Sequence, residues 1–296
     1  MRRIRFAVIS EGVYSWPMYV AQARQLFARE GIDVEVTVTG SSAQQLARLT
    51  GGEYDIGLQQ SDHIVRGVER GADLFICMAQ ALAPELTLVA APGIKSFADL
   101  RGRTIAVDGA RTGYALLLRK WLADKGLADG AYVFSEIGGS QERYAALQSG
   151  AAVASLLNPP FDRNLCAAGF GSLGTTGEAF PTYPGPVAAA RREWARQNEE
   201  SLIAYIRAFD AAYAWLRDER NLEAALGLLP PHLAIDRATA LRAYRQIAAQ
   251  PLPAITPAGL QQVIDMVGES ESWRGPKGRP EKYMDLSYIN KARQAH

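Results

Sequence analysis

The period of apolar and polar positions changes repeatedly along the chain. Residues 4–9, IRFAVI, are almost continuously apolar, as expected of a strand covered on both faces. From Pro17 the spacing becomes helical, with Tyr19, Val20, Ala23, Leu26 and Phe27 on one side and Gly31 placed as a C-terminal cap. IDVEVTVT then alternates, setting Ile32, Val34, Val36 and Val38 on one face. A short helix from Ser42 and a strand YDIGL complete a β-α-β-α-β run, the pattern of a parallel sheet covered by helices.

The same order then returns. TIAV at 104–107 predicts a strand, 113–125 a helix with Leu117, Leu118, Trp121 and Leu122 on its apolar side, and 132–137 another strand. SSAQQLARLTGG at 41–52 lines up with GSQERYAALQSG at 139–150, pairing Ser42 with Ser140, Ala47 with Ala145, Leu49 with Leu147 and Gly52 with Gly150 at an offset of 98 (140 − 42). The shared order of elements carries the repeat more than these identities do, and it implies two lobes. A helical remainder begins near Glu193, with Leu202, Tyr205, Ile206, Phe209, Tyr213 and Leu216 along one long helix. Later helices are expected from about Asp236 and Thr256, a loop at 273–281, and a last helix in LSYINKARQA.

Composition narrows the function. The chain has 296 residues, 48% of them hydrophobic, and a formal charge of +1, which suits a soluble globular protein of one large or two medium folding units and gives no field for nucleic acid or an anionic membrane. Its two cysteines, Cys77 and Cys166, stand alone, and His63, His232 and His296 are far apart, so neither a disulfide, a metal site nor a cofactor is expected. No apolar run reaches the roughly 18 residues of a membrane span. MRRIRFAVIS lacks the apolar core and small-residue cleavage site of an export signal. The expected location is therefore cytoplasmic if the chain is complete as given, and periplasmic if a leader was removed. GFGSLG at 169–174 matches a dinucleotide-binding spelling but follows a predicted helix and is read as a glycine-rich turn. No nucleophile elbow or P-loop is present.

Ligands of such sheets bind beyond the carboxyl ends of the strands, so the strand-to-helix loops are the places for a site. The first, VISEGVYSW, holds Ser10, Glu11, Tyr14 and Trp16, either a ligand wall or core cover. The second offers Ser41 and Ser42, one of which caps a helix. The third is QQSD, with Gln59, Gln60 and Ser61 beyond the strand and Asp62 as a helix cap. In DGARTG, Arg111 can pair with a carboxylate, phosphate or sulfonate and Thr112 can cap a helix. The repeat's counterpart loops supply Gly139, Ser140, Asn158 and Phe161, and Tyr183 completes the candidate set.

The order of YVAQARQLFAREGIDVEV, DIGLQQSD, KSFADLRGRTIAVDGARTGYALLLRKWLADKGL and DLSYINKA resembles the substrate-binding proteins of nitrate, sulfonate and taurine type ABC transporters, a family that includes thiamine-pyrimidine-related proteins. The resemblance covers nearly the whole chain. It implies an α/β type II periplasmic-binding-protein fold with two lobes, a hinge and a central ligand cleft. The lobes are expected at 1–91 with 187–296 and at 92–186. It also implies a monomer that captures a small organic anion by hinge closure and presents it to an ABC permease, with no catalytic residue. The alternative is an enzyme of the same fold acting on a small aromatic or heterocyclic acid, decarboxylase-like or pyrimidine-synthase-like. Glu11, Asp62 and His63 are its only acid-base candidates, and the cysteine-rich motif of the pyrimidine synthases is missing.

Overall fold

The computed structural model describes residues 1–296 apart from 10, 13–14, 81–85, 234, 250–254, 274–277 and 295–296. The chain divides into two units: Met1–Leu82, Pro184–Gln261 and Gly278–His296 form the first, and Ala83–Tyr183 with Gln262–Lys277 the second.

The first unit is built on a five-stranded sheet of β1 (Arg2–Val8), β2 (Ile32–Val38), β3 (Ile56–Gln60), β4 (Leu74–Ala79) and β10 (Pro186–Arg191). Its order is β2-β1-β3-β10-β4, with β1 parallel to β2 and β3, and β10 antiparallel to both of its neighbours. The second unit has β5 (Thr87–Ala90), β6 (Thr104–Val107), β7 (Val133–Glu136), β8 (Ala154–Leu157) and β9 (Gly171–Thr175) in the order β7-β6-β8-β5-β9, with β5 as the antiparallel strand. The orders match strand for strand. Register matches as well: Phe6 faces Val36 and Ile56, and Ile105 faces Phe134 and Ala154. The helices α3 (Ser42–Thr50) and α6 (Ser140–Gln148) occupy the same nine positions at the offset of 98 seen in the sequence.

Both sheets are therefore mixed rather than wholly parallel. The antiparallel strands are short, TLVA in β5 and the alanine-rich PVAAAR in β10, so neither shows a period of its own in the sequence. Ile4, Phe6, Ala7 and Val8 are fully buried, as the apolar run requires. Long helix α10 (Glu199–Arg217) buries Leu202, Tyr205, Ile206, Phe209, Tyr213 and Leu216, and Tyr205 meets Phe6 with ring centroids 5.5 Å apart. Each fully buried side chain of this size contributes about 1.5–3 kcal/mol, which fixes α10 across the first sheet. It is preceded by a separate α9 (Arg192–Gln197), because Asn198 leaves helical geometry at φ −128°.

The predicted helix from Pro17 is divided as well. α1 (Trp16–Ala23) stops at Gln25, whose φ of 55° is left-handed, and α2 (Leu26–Arg29) follows before Gly31 at φ 72°. Helices α4 (Ser61–Glu69), α5 (Gly113–Asp124) and α7 (Phe161–Ala167) connect the strands as expected. GFGSLG is not a turn: Gly171–Thr175 is β9, an edge strand leading into the four-residue α8 (Thr176–Ala179). Farther on are α11 (Leu222–Leu226), α12 (Arg237–Ala249), α13 (Pro257–Ser270) and α14 (Ser287–Gln294). Part of the expected loop at 273–281 falls outside the described residues.

Candidate functional site

In the first unit the carboxyl ends of β1, β2 and β3 carry one connected polar network. Gly40 and Thr39 donate their amides to the Ile9 and Val8 carbonyls at 2.9 Å, joining the loops after β1 and β2. Gln45, one turn into α3, is wholly buried; its Nε2 donates to the Leu58 carbonyl at 2.6 Å and its Oε1 accepts from the Thr39 hydroxyl at 2.9 Å. Since β1 lies between β2 and β3, this amide crosses the end of β1. Ser41, rather than Ser42, caps α3 by accepting from the Gln44 amide at 3.3 Å.

Gln59 and Gln60 close β3, and Ser61 and Asp62 open α4, so the expected four-residue loop is strand and helix without a gap. Gln59 Nε2 donates to the Ser42 carbonyl at 3.2 Å, and its Oε1 accepts from His63 Nδ1 at 2.9 Å. Asp62 does not cap the helix; it is buried and ion-paired with Arg66 one turn on. Ser61 Oγ and Asp62 Oδ1 are buried without a hydrogen-bond partner among the described residues.

Glu11 Oε1 accepts from the Tyr19 hydroxyl at 3.2 Å and Oε2 accepts from His232 Nε2 at 2.7 Å. Burial, with the Glu11 carboxylate beside it, pushes the Tyr19 phenol up to about 12. Ser10 and Tyr14 lie outside the described residues. Trp16 belongs to the core: it is fully buried, its indole N–H donates to the Ala225 carbonyl at 3.0 Å, and its ring meets Tyr244 edge-on at 6.0 Å.

The second unit carries an equivalent network with different chemistry. Thr112 caps α5, accepting from the Ala115 amide at 3.3 Å while donating to Asp108 at 2.7 Å. Arg111 is exposed and donates to the Ser270 carbonyl at 3.3 Å. Gly139 is the residue before α6, Ser140 its first residue, and the Ser140 hydroxyl donates to Asn158 Oδ1 at 2.5 Å. Phe161 opens α7 and packs against Tyr144 with centroids 5.7 Å apart. Tyr183 is buried, with 2% exposure. The described candidates thus lie at the strand ends of their own units, apart from Trp16 and Tyr183, which are buried.

Sequence reasoning passed over one residue at the centre of the second cluster. Arg143 donates Nη1 to the Gly138 carbonyl at 2.5 Å and Nη2 to Ser140 Oγ at 3.1 Å and the Leu156 carbonyl at 3.3 Å. Burial lowers the guanidinium below its usual value, against the opposing pull of Asp108 and Glu142. The signal that finds it is the offset: 143 − 98 is 45, the position of Gln45. Elsewhere in this unit a cavity of about 420 Å³ runs between α5 and α13. Its Arg119 and Lys120 are already paired with Asp129 and Asp124, each at 3.0 Å, so it offers no ready seat for an anion. No His, Cys, Asp and Glu grouping among the described residues could hold a metal, and no helix among them is long and apolar enough to cross a membrane.

No curated protein matches the chain. Among solved structures, a periplasmic sulfonate-binding protein SsuA from Methylobacillus flagellatus KT superposes with a TM-score of 0.82 at 17% identity, over 99% of this chain and 94% of that one. The aliphatic sulphonate binding protein SsuA of Escherichia coli gives 0.78 at 22% identity, over 97% and 92%. The nitrate-binding protein NrtA of Synechocystis PCC 6803 gives 0.75 at 16%, over 100% and 89%. At these identities the likeness establishes the periplasmic-binding-protein fold. The profile of the NMT1-like family matches residues 4–229, three quarters of the sequence, and the chain belongs to that family.

Proposed function

We propose that this protein is the solute-binding component of an ABC import system, and that it captures a small organic anion by closing its two α/β units about it. The observation that carries the reading is the duplication of the strand-end network. Each unit presents a capped helix start, amides and hydroxyls at the carboxyl ends of three equivalent strands. That is what a ligand needs if it is to be gripped from both sides. Contacts to both units then supply the free energy that moves the population from open to closed. In this reading Ser10, Glu11, Tyr14, Ser41, Ser42 and Gln59 to Asp62 contribute from the first unit. Arg111, Thr112, Gly139, Ser140, Asn158 and Phe161 contribute from the second, and the permease recognises the closed form of the monomer. The sulfonate- and nitrate-binding proteins of the same fold support the solute class.

The acid-base candidates are engaged in ways that favour binding over turnover. Asp62 is held by Arg66, His63 by Gln59, and Glu11 by Tyr19 and His232. None of these is a nucleophile–base pair poised for reaction. The test is a thermal-shift screen over sulfonates, carboxylates, nitrate, pyrimidines and aromatic acids, followed by mass analysis of the recovered compound. A solute present at 100 times its Kd stabilises the native state by about 2.7 kcal/mol. One class should raise the melting temperature and be recovered unchanged. Conversion of the compound would establish an enzyme instead.

A further inference from the structure

The two strand-end networks perform one geometric task with side chains of different charge. In the first unit Gln45 crosses the end of β1 and donates to Leu58; in the second Arg143 crosses the end of β6 and donates to Leu156. The offset is 98 for both pairs (143 − 45 and 156 − 58). Gln45 is sealed, with 0% exposure, and both ends of its amide are satisfied. Arg143 is only partly buried, and no carboxylate among the described residues pairs with it. Of the five N–H donors of a guanidinium, three meet the Gly138 carbonyl, the Ser140 hydroxyl and the Leu156 carbonyl, leaving two.

We infer that Arg143, oriented by those three acceptors and backed by Ser140, is the anion-reading residue of the binding site, so that the ligand's carboxylate or sulfonate is held by the second unit while the first contacts its neutral part. The inference rests on the binding reading given above. A guanidinium held by two carbonyls and a hydroxyl has no carboxylate in hydrogen-bond contact, and an oxyanion is the partner that takes its two remaining donors. Arg111 differs in being exposed, whereas Arg143 is half-buried among its acceptors.

The experiment is calorimetric titration of the full chain with matched anionic and neutral probes: benzoate with benzamide, and ethanesulfonate with ethanesulfonamide. R143Q installs the residue of the equivalent position and can keep the bond to Leu156; R143K keeps a charge without the planar fork. R143Q is expected to weaken the anionic probe by about 10- to 100-fold and leave its neutral partner unchanged, with R143K between. Whichever anion, benzoate or ethanesulfonate, binds more tightly identifies the source, carboxylate or sulfonate. Unchanged affinity for the anion in R143Q overturns the assignment and leaves the binding reading standing. Equal losses for anion and neutral partner also overturn it, since they mark a structural role. Wild-type protein that binds only neutral probes overturns the anion class. Binding of no solute, charged or neutral, overturns the binding reading and this assignment with it.

Discussion

The two units share strand order, and the nine-residue helix recurs at an offset of 98, yet they treat the same strand end in opposite ways. In the first, Thr39 supplies a hydroxyl for Gln45; in the second the equivalent residue is Ile137, which has none, and the Gly138 carbonyl serves Arg143 instead. The repeated backbone fixes where a side chain must go. Its chemistry decides whether that place is sealed, as at Gln45, or left half-buried, as at Arg143. The loops after β1 and β6 differ in the same sense. Trp16, which opens the helix after the first, is in the core against Ala225 and Tyr244, whereas Thr112 and Asp108 hold the second by hydrogen bonds near the surface.

The largest effect should come from breaking that contrast at Trp16. Trp16→Ala removes a fully buried indole and orphans the Ala225 carbonyl, and it should destabilise the protein by about 3–5 kcal/mol. Thr112→Ala removes a cap and should cost about 1 kcal/mol. Denaturant unfolding of the two variants checks the difference. Equal losses would mean that both loops are anchored alike.

A swap at the equivalent positions sharpens the comparison further. Gln45→Arg forces a charge into a site of 0% exposure with no acid to meet it, and should cost about 3 kcal/mol or more. Arg143→Gln should stay within about 1 kcal/mol, because the bond to Leu156 survives and a partly buried charge is removed. Urea midpoints measured at constant slope read both numbers. A tolerated Gln45→Arg would show that the first strand end is as open as the second.

Much of this was legible in the chain. Apolar runs and helical spacing place β1, β2, β6, α3, α5 and α10, and the offset of 98 places the repeat, because these patterns follow from burial of one face at a time. The antiparallel strands were not, since β5 and β10 enter each sheet from a distant part of the chain, and short runs such as TLVA carry no period. Trp16 sits in a loop sequence that fits a ligand wall; its true partner is 209 residues away, and no local pattern reports that contact. Arg143 in SQERYAALQ reads as a solvated helix face until it is aligned with Gln45. Ser42, Gln60 and Asp62 were assigned to the correct strand ends, but strand and helix abut there, so a cap expected at Asp62 became an ion pair inside the helix.

The smallest effect tests a difference at the far ends of α4 and α7. Glu69 closes α4 and accepts from Lys282 Nζ and the Tyr283 hydroxyl, each at 2.5 Å, while α7 closes on Ala167 with no such group. Burial raises the Glu69 carboxyl, but the hydrogen bonds and the Lys282 charge outweigh it and hold the group below the usual carboxylate range. A folded value below the unfolded one, near about 4.3, means that Glu69 contributes stability above that pH and loses it as pH falls through the lower folded value. Glu69→Gln should therefore be slightly less stable than the parent at neutral pH, by under about 1 kcal/mol for so accessible a pair, with the gap closing as pH falls below about 4.3. Melting temperatures of parent and variant across that window isolate the group, since every other carboxylate cancels in the difference. A gap that persists unchanged at the acid end would show that Glu69 acts through packing beside Tyr283 rather than through its charge.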